Sequence, residues 1–228
     1  MAEMITITVE DGEFEGWLAS PAKPRGAGVL VIQEIFGLND NIKAICQAWA
    51  DEGYHSLAPD LFWRMQPKVL LDPNIEEQKE KGFDYYQRFD IARGMDDLKS
   101  SLAHLRGIVG GKVGCVGFCL GGFLAYQMAT QSNVDASAGY YGVGIENHLD
   151  QATAIRAPLI LHIAGEDSFC PPEAQAKLHE HFDDHPLVTL YDYAGQEHAF
   201  ARIKGEDWDE ESARHAFERN RDLFAKVL

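Results

Sequence analysis

Cys119 stands in Gly117-Phe118-Cys119-Leu120-Gly121-Gly122, behind the apolar run Val113 to Val116 and ahead of Phe123-Leu124-Ala125-Tyr126-Gln127-Met128. A Gly-x-Cys-x-Gly turn between a strand and a helix is the layout of a nucleophile elbow, with a thiol where a hydroxyl usually stands. The flanking glycines let two backbones pass close to a residue held in a strained conformation. The helix that follows aims its N-terminal dipole and N–H groups at the sulfur, favouring first a thiolate and then an oxyanion. Taken alone, the turn fits a small buried core cysteine equally well. Asp167 and His198 favour catalysis, because each follows a strand-like run and they come in the order nucleophile, acid, histidine.

The three residue types divide the chemistry of acyl transfer. His198, in the glycine-containing loop Ala194-Gly195-Gln196-Glu197-His198, would take the thiol proton and later help water attack the acyl-enzyme. Asp167, in Gly165-Glu166-Asp167-Ser168, would hold the imidazole in one tautomer and stabilise the imidazolium, with Glu166 as the rival acid one residue away. The backbone N–H groups of Leu120 and Ile35 are the expected oxyanion donors, the second coming from the loop after an early strand. Glu34 ends that strand. A carboxylate beside the nucleophile would disfavour a thiolate and keep the thiol neutral, while a plain strand-end glutamate paired with an arginine is the alternative.

Other reactive types carry less. His179, His181 and His185 suggest a metal, but only His181 and His185 share an i,i+4 spacing and Pro186 ends the helix there, so a solvated surface is expected. Cys115 falls inside a strand, Cys46 on a helix flank and Cys170 beside Pro171, none with an activating neighbour. No metal and no cofactor are expected.

The composition sets outer bounds. An apolar fraction of 46% in 228 residues is ample for a packed core. A formal charge of −16 argues against nucleic acid or an anionic membrane as partner, since both would repel it. An anionic substrate would need its own local Arg or Lys. The 4 cysteines have neither the density of a secreted scaffold nor paired metal spacing, and the start Met1-Ala2-Glu3-Met4-Ile5 lacks a basic region followed by a long apolar run. A cytoplasmic monomer acting on a small molecule is the expectation.

The elements that must position these residues alternate along the chain. Met4 to Val9 and Phe14 to Ala19, separated by Asp11-Gly12, predict an antiparallel hairpin. Strands are expected at Gly28 to Ile32, Tyr54 to Ala58, Ala136 to Tyr140, Pro158 to Ile163 and Leu187 to Tyr193, the first a continuous apolar run buried on both faces. Between them, helices are expected after Asn39 or Asp40, from Ile75 to Arg88, from Asp90 through Leu105, from Glu173 to Phe182, and from Asp209 to Lys226. This alternation predicts one α/β domain over 1–228, with a mostly parallel sheet covered on both faces. Ligands of such sheets bind beyond the carboxyl ends of the strands, which is where Glu34, Cys119, Asp167 and His198 fall.

The segments Gln33-Glu34-Ile35-Phe36-Gly37, Ala58-Pro59-Asp60-Leu61, Gly117 to Gly122, Gly139-Tyr140-Tyr141-Gly142-Val143-Gly144 and His198-Ala199-Phe200-Ala201-Arg202 together resemble the dienelactone hydrolase (carboxymethylenebutenolidase) family over nearly the whole chain. The resemblance implies an α/β-hydrolase fold and a Cys-His-Asp triad of Cys119, His198 and Asp167. It also implies a resting thiol whose proton passes to Glu34 once substrate displaces that carboxylate. The implied reaction is hydrolysis of an enol-lactone bearing a carboxylate, giving maleylacetate, and a related thiol esterase acting on other small esters or lactones is the alternative. The family holds the substrate carboxylate with two arginines and a tyrosine. Here Arg202 keeps one arginine, Lys79 stands at the other and Phe83 replaces the tyrosine, while Phe36 and Tyr141 complete the implied substrate-binding set.

Overall fold

Alternation of exposed and buried side chains makes the first hairpin, in a computed structural model that describes residues 1–228. Strands β1 (Ala2–Val9) and β2 (Gly12–Ala19) pair antiparallel, with Val9 opposite Gly12. The chain then divides into two compact units, residues 1–115 with Leu228, and residues 116–227. Strand β5 (Val113–Phe118) begins in the first and ends in the second.

In the first unit the strand order is β1-β2-β4-β3-β5, where β3 is Gly28–Ile32 and β4 is His55–Pro59. Strand β2 is antiparallel to β4, and β4 is parallel to β3. All five residues of β3 are buried because helices α1 (Asp40–Asp51) and α3 (Ile91–Val109) both pack against it. Asn39 caps α1 by accepting the Ile42 N–H at 3.2 Å, and Ile42, Ile45, Cys46, Trp49 and Ala50 form its buried stripe. Asp90 caps α3 through the Arg93 N–H, and the helix runs on past Leu105 until Gly110 takes the left-handed conformation at φ 65°. Helix α2 (Glu76–Arg88) is polar and buries only Gly82 and Tyr85.

In the second unit the order is β5-β6-β7-β8, with β6 (Ala136–Tyr140), β7 (Leu159–Ala164) and β8 (Val188–Tyr193) parallel. Helices α4 (Leu120–Gln131) and α6 (Glu210–Val227) lie on opposite faces. A Cβ placed on Gly139 would meet the Gly122 carbonyl of α4, whereas the side chain of the next residue, Tyr140, reaches Asn220 of α6. Helix α5 (Pro172–Phe182) starts one residue earlier than the sequence pattern suggests, since proline is well suited to a first turn. The segment after β6 is not simple loop: it winds into 3₁₀ turns at Ile145–Asn147 and Leu149–Ala154, tied to α4 by the Tyr126 hydroxyl on the His148 carbonyl at 2.7 Å. Turns this short have no periodicity for a sequence pattern to reveal. No helix is long and apolar enough to cross a membrane.

Asn39 joins two structures that shape the loop after β3. Its side chain caps α1 and also donates to the Leu71 carbonyl at 3.3 Å. Asn39→Ala is expected to lower the unfolding free energy by about 1–2 kcal/mol, read as a shift in urea midpoint at unchanged m-value.

Candidate active site

The turn from β5 into α4 places Cys119 at φ 56°, ψ −116°, a conformation unfavourable for any residue with a side chain. Several contacts hold it there. The Cys119 N–H donates to the Tyr140 carbonyl at 3.1 Å, and its own carbonyl accepts from Gly122 at 2.9 Å and Phe123 at 3.2 Å. The neighbouring glycines are required by contact: a Cβ on Gly117 would lie 1.8 Å from the Gly121 carbonyl oxygen, and one on Gly122 would lie 2.3 Å from that of Tyr140. Leu120 is the first residue of α4, so its N–H has no intrahelical acceptor.

Asp167 and His198 meet beside this turn. His198 Nδ1 lies 2.8 Å from Asp167 Oδ2, and the other Asp167 oxygen accepts the Phe169 N–H at 2.9 Å. A carboxylate can only accept, so Nδ1 carries a proton and the remaining ring nitrogen serves the side-chain hydrogen bond with Cys119. Glu166 is exposed, its N–H spent on the Gln196 carbonyl at 2.9 Å, while Asp167 is 2% exposed. The edge of Tyr141 approaches the His198 ring at 5.0 Å and Phe169 approaches it at 4.9 Å, so two aromatic rings fix the imidazole plane.

Charge at this site is strongly coupled. Burial opposes a charged imidazole at His198, but the Cys119 sulfur and then the Asp167 carboxylate outweigh it and raise the pKa to about 10. The arrangement therefore favours the imidazolium form of His198. Two other thiols are held neutral by their surroundings. Burial pushes both Cys46 and Cys170 up to about 12, Cys170 further opposed by the negative charges of Asp167 and Glu146. Arg202 follows on the same loop, its N–H bonded to the Ala199 carbonyl at 2.8 Å in a turn where Ala199 has φ 68°.

The second unit thus contains Cys119, Leu120, Tyr141, Asp167, His198 and Arg202, and the first contains Glu34, Ile35, Phe36, Lys79 and Phe83. Glu34 follows β3, 1% exposed, and its carbonyl accepts from the Gln33 side chain at 3.2 Å. The next residues form a bend in which Gly37 has φ 73° and a Cβ would sit 1.9 Å from the Val69 carbonyl oxygen. Helix α2 comes down on this bend through Gly82, where a Cβ would lie 3.0 Å from the Phe36 ring and 3.1 Å from the Ile35 carbonyl. Lys79 and Phe83, three residues before and one after Gly82, flank that contact on the same helical face. Sequence patterns miss Tyr140 and Phe169, because one acts through a carbonyl that any residue type supplies and the other through a ring 47% exposed. No group of three or more His, Cys, Asp or Glu is arranged to hold a metal ion.

A family model described as dienelactone hydrolase family matches residues 14–228. Carboxymethylenebutenolidase of Pseudomonas putida is 36% identical over 230 residues, covering 100% of this chain and 98% of its own. A putative carboxymethylenebutenolidase of Azospirillum brasilense is 36% identical over 229 residues, covering 96% of each chain. Among solved structures, a putative dienelactone hydrolase from Klebsiella pneumoniae superposes with a TM-score of 0.84 at 23% identity, covering 100% of this chain and 99% of its own. That likeness gives an α/β-hydrolase fold.

Removing the Cys119 sulfur removes the largest influence that raises the His198 pKa and leaves burial in place to lower it. In Cys119→Ala the imidazole is expected to titrate below about 10, while in the unmodified protein the imidazolium persists until the pH rises through that value. An NMR titration of the His198 Cε1 proton measures this. An unchanged midpoint would show that the sulfur and the ring do not interact.

Proposed function

Because this chain belongs to the dienelactone hydrolase family and is a hydrolase of ester or lactone bonds, we propose that it opens a carboxylate-bearing enol-lactone through an acyl-enzyme on Cys119. The observation that supports this most is the placement of Cys119 at a strained turn, hydrogen-bonded to a histidine whose other nitrogen is held by Asp167. The Cys119 thiolate attacks the lactone carbonyl, and the tetrahedral oxygen gathers its charge against the Leu120 N–H at the N-terminus of α4. The acyl carbon–oxygen bond breaks and the ring oxygen leaves as an enolate, a good leaving group that needs little acid assistance. The enolate takes up the proton that activation removed from the thiol, and neutral His198 takes a proton from water as that water attacks the thioester. Thiol and diacid product are released. Water is the only co-reactant, so no cofactor is needed.

Further roles follow from the family resemblance. Glu34 accepts the thiol proton on activation, and the Ile35 N–H is the second oxyanion donor. Arg202 grips the substrate carboxylate, helped by Lys79, while Phe36, Phe83 and Tyr141 line its apolar part. The lysine and phenylalanine favour one alternative, a thiol esterase with looser demands on its small ester or lactone. All four cysteines are free, which suits a reducing cytoplasm. We further propose that residues 1–228 act as one catalytic domain and as a monomer.

Cys119→Ala is expected to abolish hydrolysis, whereas Cys115→Ala and Cys170→Ala retain it. One equivalent of iodoacetamide should label Cys119, as mass spectrometry of the digested protein would show. Turnover at the unmodified rate in Cys119→Ala would overturn the proposal.

The charge of −16 gives an anionic substrate no help from the overall field, so local cations must position it. A guanidinium can grip a carboxylate with two parallel hydrogen bonds, whereas Lys79 supplies charge without a fork and Phe83 supplies no hydroxyl. One missing donor is worth about 1–1.5 kcal/mol, roughly tenfold in kcat/KM. Comparing an acidic enol-lactone with its neutral methyl ester, Arg202→Gln is expected to erase most of the preference for the acid. Phe83→Tyr is expected to raise it. Equal use of acid and ester by the unmodified enzyme would favour the thiol esterase.

A further inference from the structure

Behind the nucleophile lies a chain of polar groups that the hydrolysis does not use. Arg219 Nη1 donates to the Tyr193 hydroxyl at 2.8 Å, and that hydroxyl lies 2.8 Å from His162 Nδ1. His162 Nε2 lies 2.8 Å from Asn220 Oδ1, and Asn220 Nδ2 donates to the Tyr140 hydroxyl at 2.9 Å. The directions are fixed by chemistry. A guanidinium only donates and an amide oxygen only accepts, so His162 carries its proton on Nε2 and accepts from Tyr193 on Nδ1. Burial lowers the His162 pKa to about 3, against a smaller opposing effect of Asn220, which keeps the ring neutral at any working pH.

These groups are deep: His162 is 1% exposed, Asn220 0%, Tyr140 3% and Tyr193 6%. Leucine and phenylalanine would hold α6 against β6 equally well, and a buried polar network is worth having only when every member is satisfied. What this one adds is a fixed position for its inner end. Tyr140 is the last residue of β6, its carbonyl accepts the Cys119 N–H at 3.1 Å, and its ring stacks on Phe118 at 4.5 Å. The next residue, Tyr141, has φ 38°, which a side-chain-bearing residue adopts only when its surroundings hold it there. Its N–H donates to the His162 carbonyl at 2.8 Å, and its ring edge meets His198 at 5.0 Å. His162 therefore grips the Tyr140–Tyr141 bend twice, through its side chain by way of Asn220 and through its carbonyl directly. Cys119 and His198 both lean on that bend.

We propose that His162, Asn220 and Tyr193 are positioning residues that hold the Tyr140–Tyr141 bend, and through it the Cys119 backbone and the His198 ring, in the reactive arrangement. This rests on the reading of Cys119 as the nucleophile.

The test uses Asn220→Leu, which keeps volume but cuts both links, and Tyr193→Phe, which removes only the hydroxyl between Arg219 and His162. Both are assayed on a nitrophenyl ester and for the rate of Cys119 alkylation by iodoacetamide, with near-UV circular dichroism to count folded molecules. Asn220→Leu is expected to lower kcat about tenfold with KM within about twofold, and to slow alkylation, because a small misplacement of reacting groups costs rate and not binding. Tyr193→Phe should lose less, since the Asn220–Tyr140 link survives; it alone carries the test if Asn220→Leu does not fold, through a measurable loss of kcat at unchanged KM. A network that only stabilises the fold would lower the melting temperature and leave kcat and alkylation per folded molecule unchanged. That result overturns the proposal. Cys119→Ala, assayed alongside, separates the two readings: its full activity would tell against the thiol hydrolase, whereas an inactive Cys119→Ala beside a fully active Asn220→Leu would tell against the network alone.

Discussion

The strained backbone of Cys119 is the constraint on which the rest depends. A residue at φ 56°, ψ −116° costs on the order of 1–3 kcal/mol and persists only where its neighbours leave no alternative. Here those neighbours are close on every side. Gly117 and Gly122 lack side chains because carbonyl oxygens fill the space, and the Tyr140 carbonyl holds the Cys119 N–H. The strain has a chemical return. It lifts the thiol out of the strand and sets it at the start of α4, where the first N–H groups have no intrahelical acceptor.

The same logic separates the four thiols of the chain. Cys46 and Cys170 are buried where no cation meets them, and burial raises both to about 12. Cys170 even sits one turn from Asp167, its N–H on the Asp167 carbonyl at 3.1 Å, yet the nearby negative charge works against a thiolate. Cys119 differs by facing a histidine that Asp167 holds from behind. What each of these sulfurs faces is what separates them, since the residue type is common to all.

Much of this was legible in the sequence, and the reasons are specific. The elbow is contiguous, so its glycines, thiol and apolar flanks can be recognised together, and β1 to β8 announce themselves by alternation or by continuous apolar runs. The choice between Glu166 and Asp167 was not legible, because it depends on where β7 stops. The strand ends at Ala164, the Gly165 N–H still bonds to the Tyr193 carbonyl at 2.9 Å, and the ensuing turn sends residue 166 outward and residue 167 inward. Nor was the part played by His162 legible. In sequence it is one residue of an apolar strand, and its side-chain partners lie 31 and 58 residues away. Polar partnerships across that distance leave no local pattern. The 3₁₀ turns after β6 escape for the opposite reason, being too short to have one.

Charge sets the last requirement. Asp167 is 2% exposed, and its two oxygens are met by the His198 ring and the Phe169 N–H. With His198 protonated, its charge offsets that of the Asp167 carboxylate, so the pair has no net positive charge to offer a further anion. A substrate carboxylate entering beside the pair would bring a negative charge into a chain whose formal charge is already −16. At close range such repulsion is not screened by salt as it is on an open surface. An acidic lactone can therefore be used only if a cation accompanies the site, and one held on the same loop as the histidine is best placed to stay in register with it. On the proposed reading Arg202 supplies that cation: the turn through Ala199 places its backbone four residues beyond His198. On that reading the loop that carries the imidazole also carries the guanidinium, and substrate charge and catalytic geometry would depend on one short stretch of backbone.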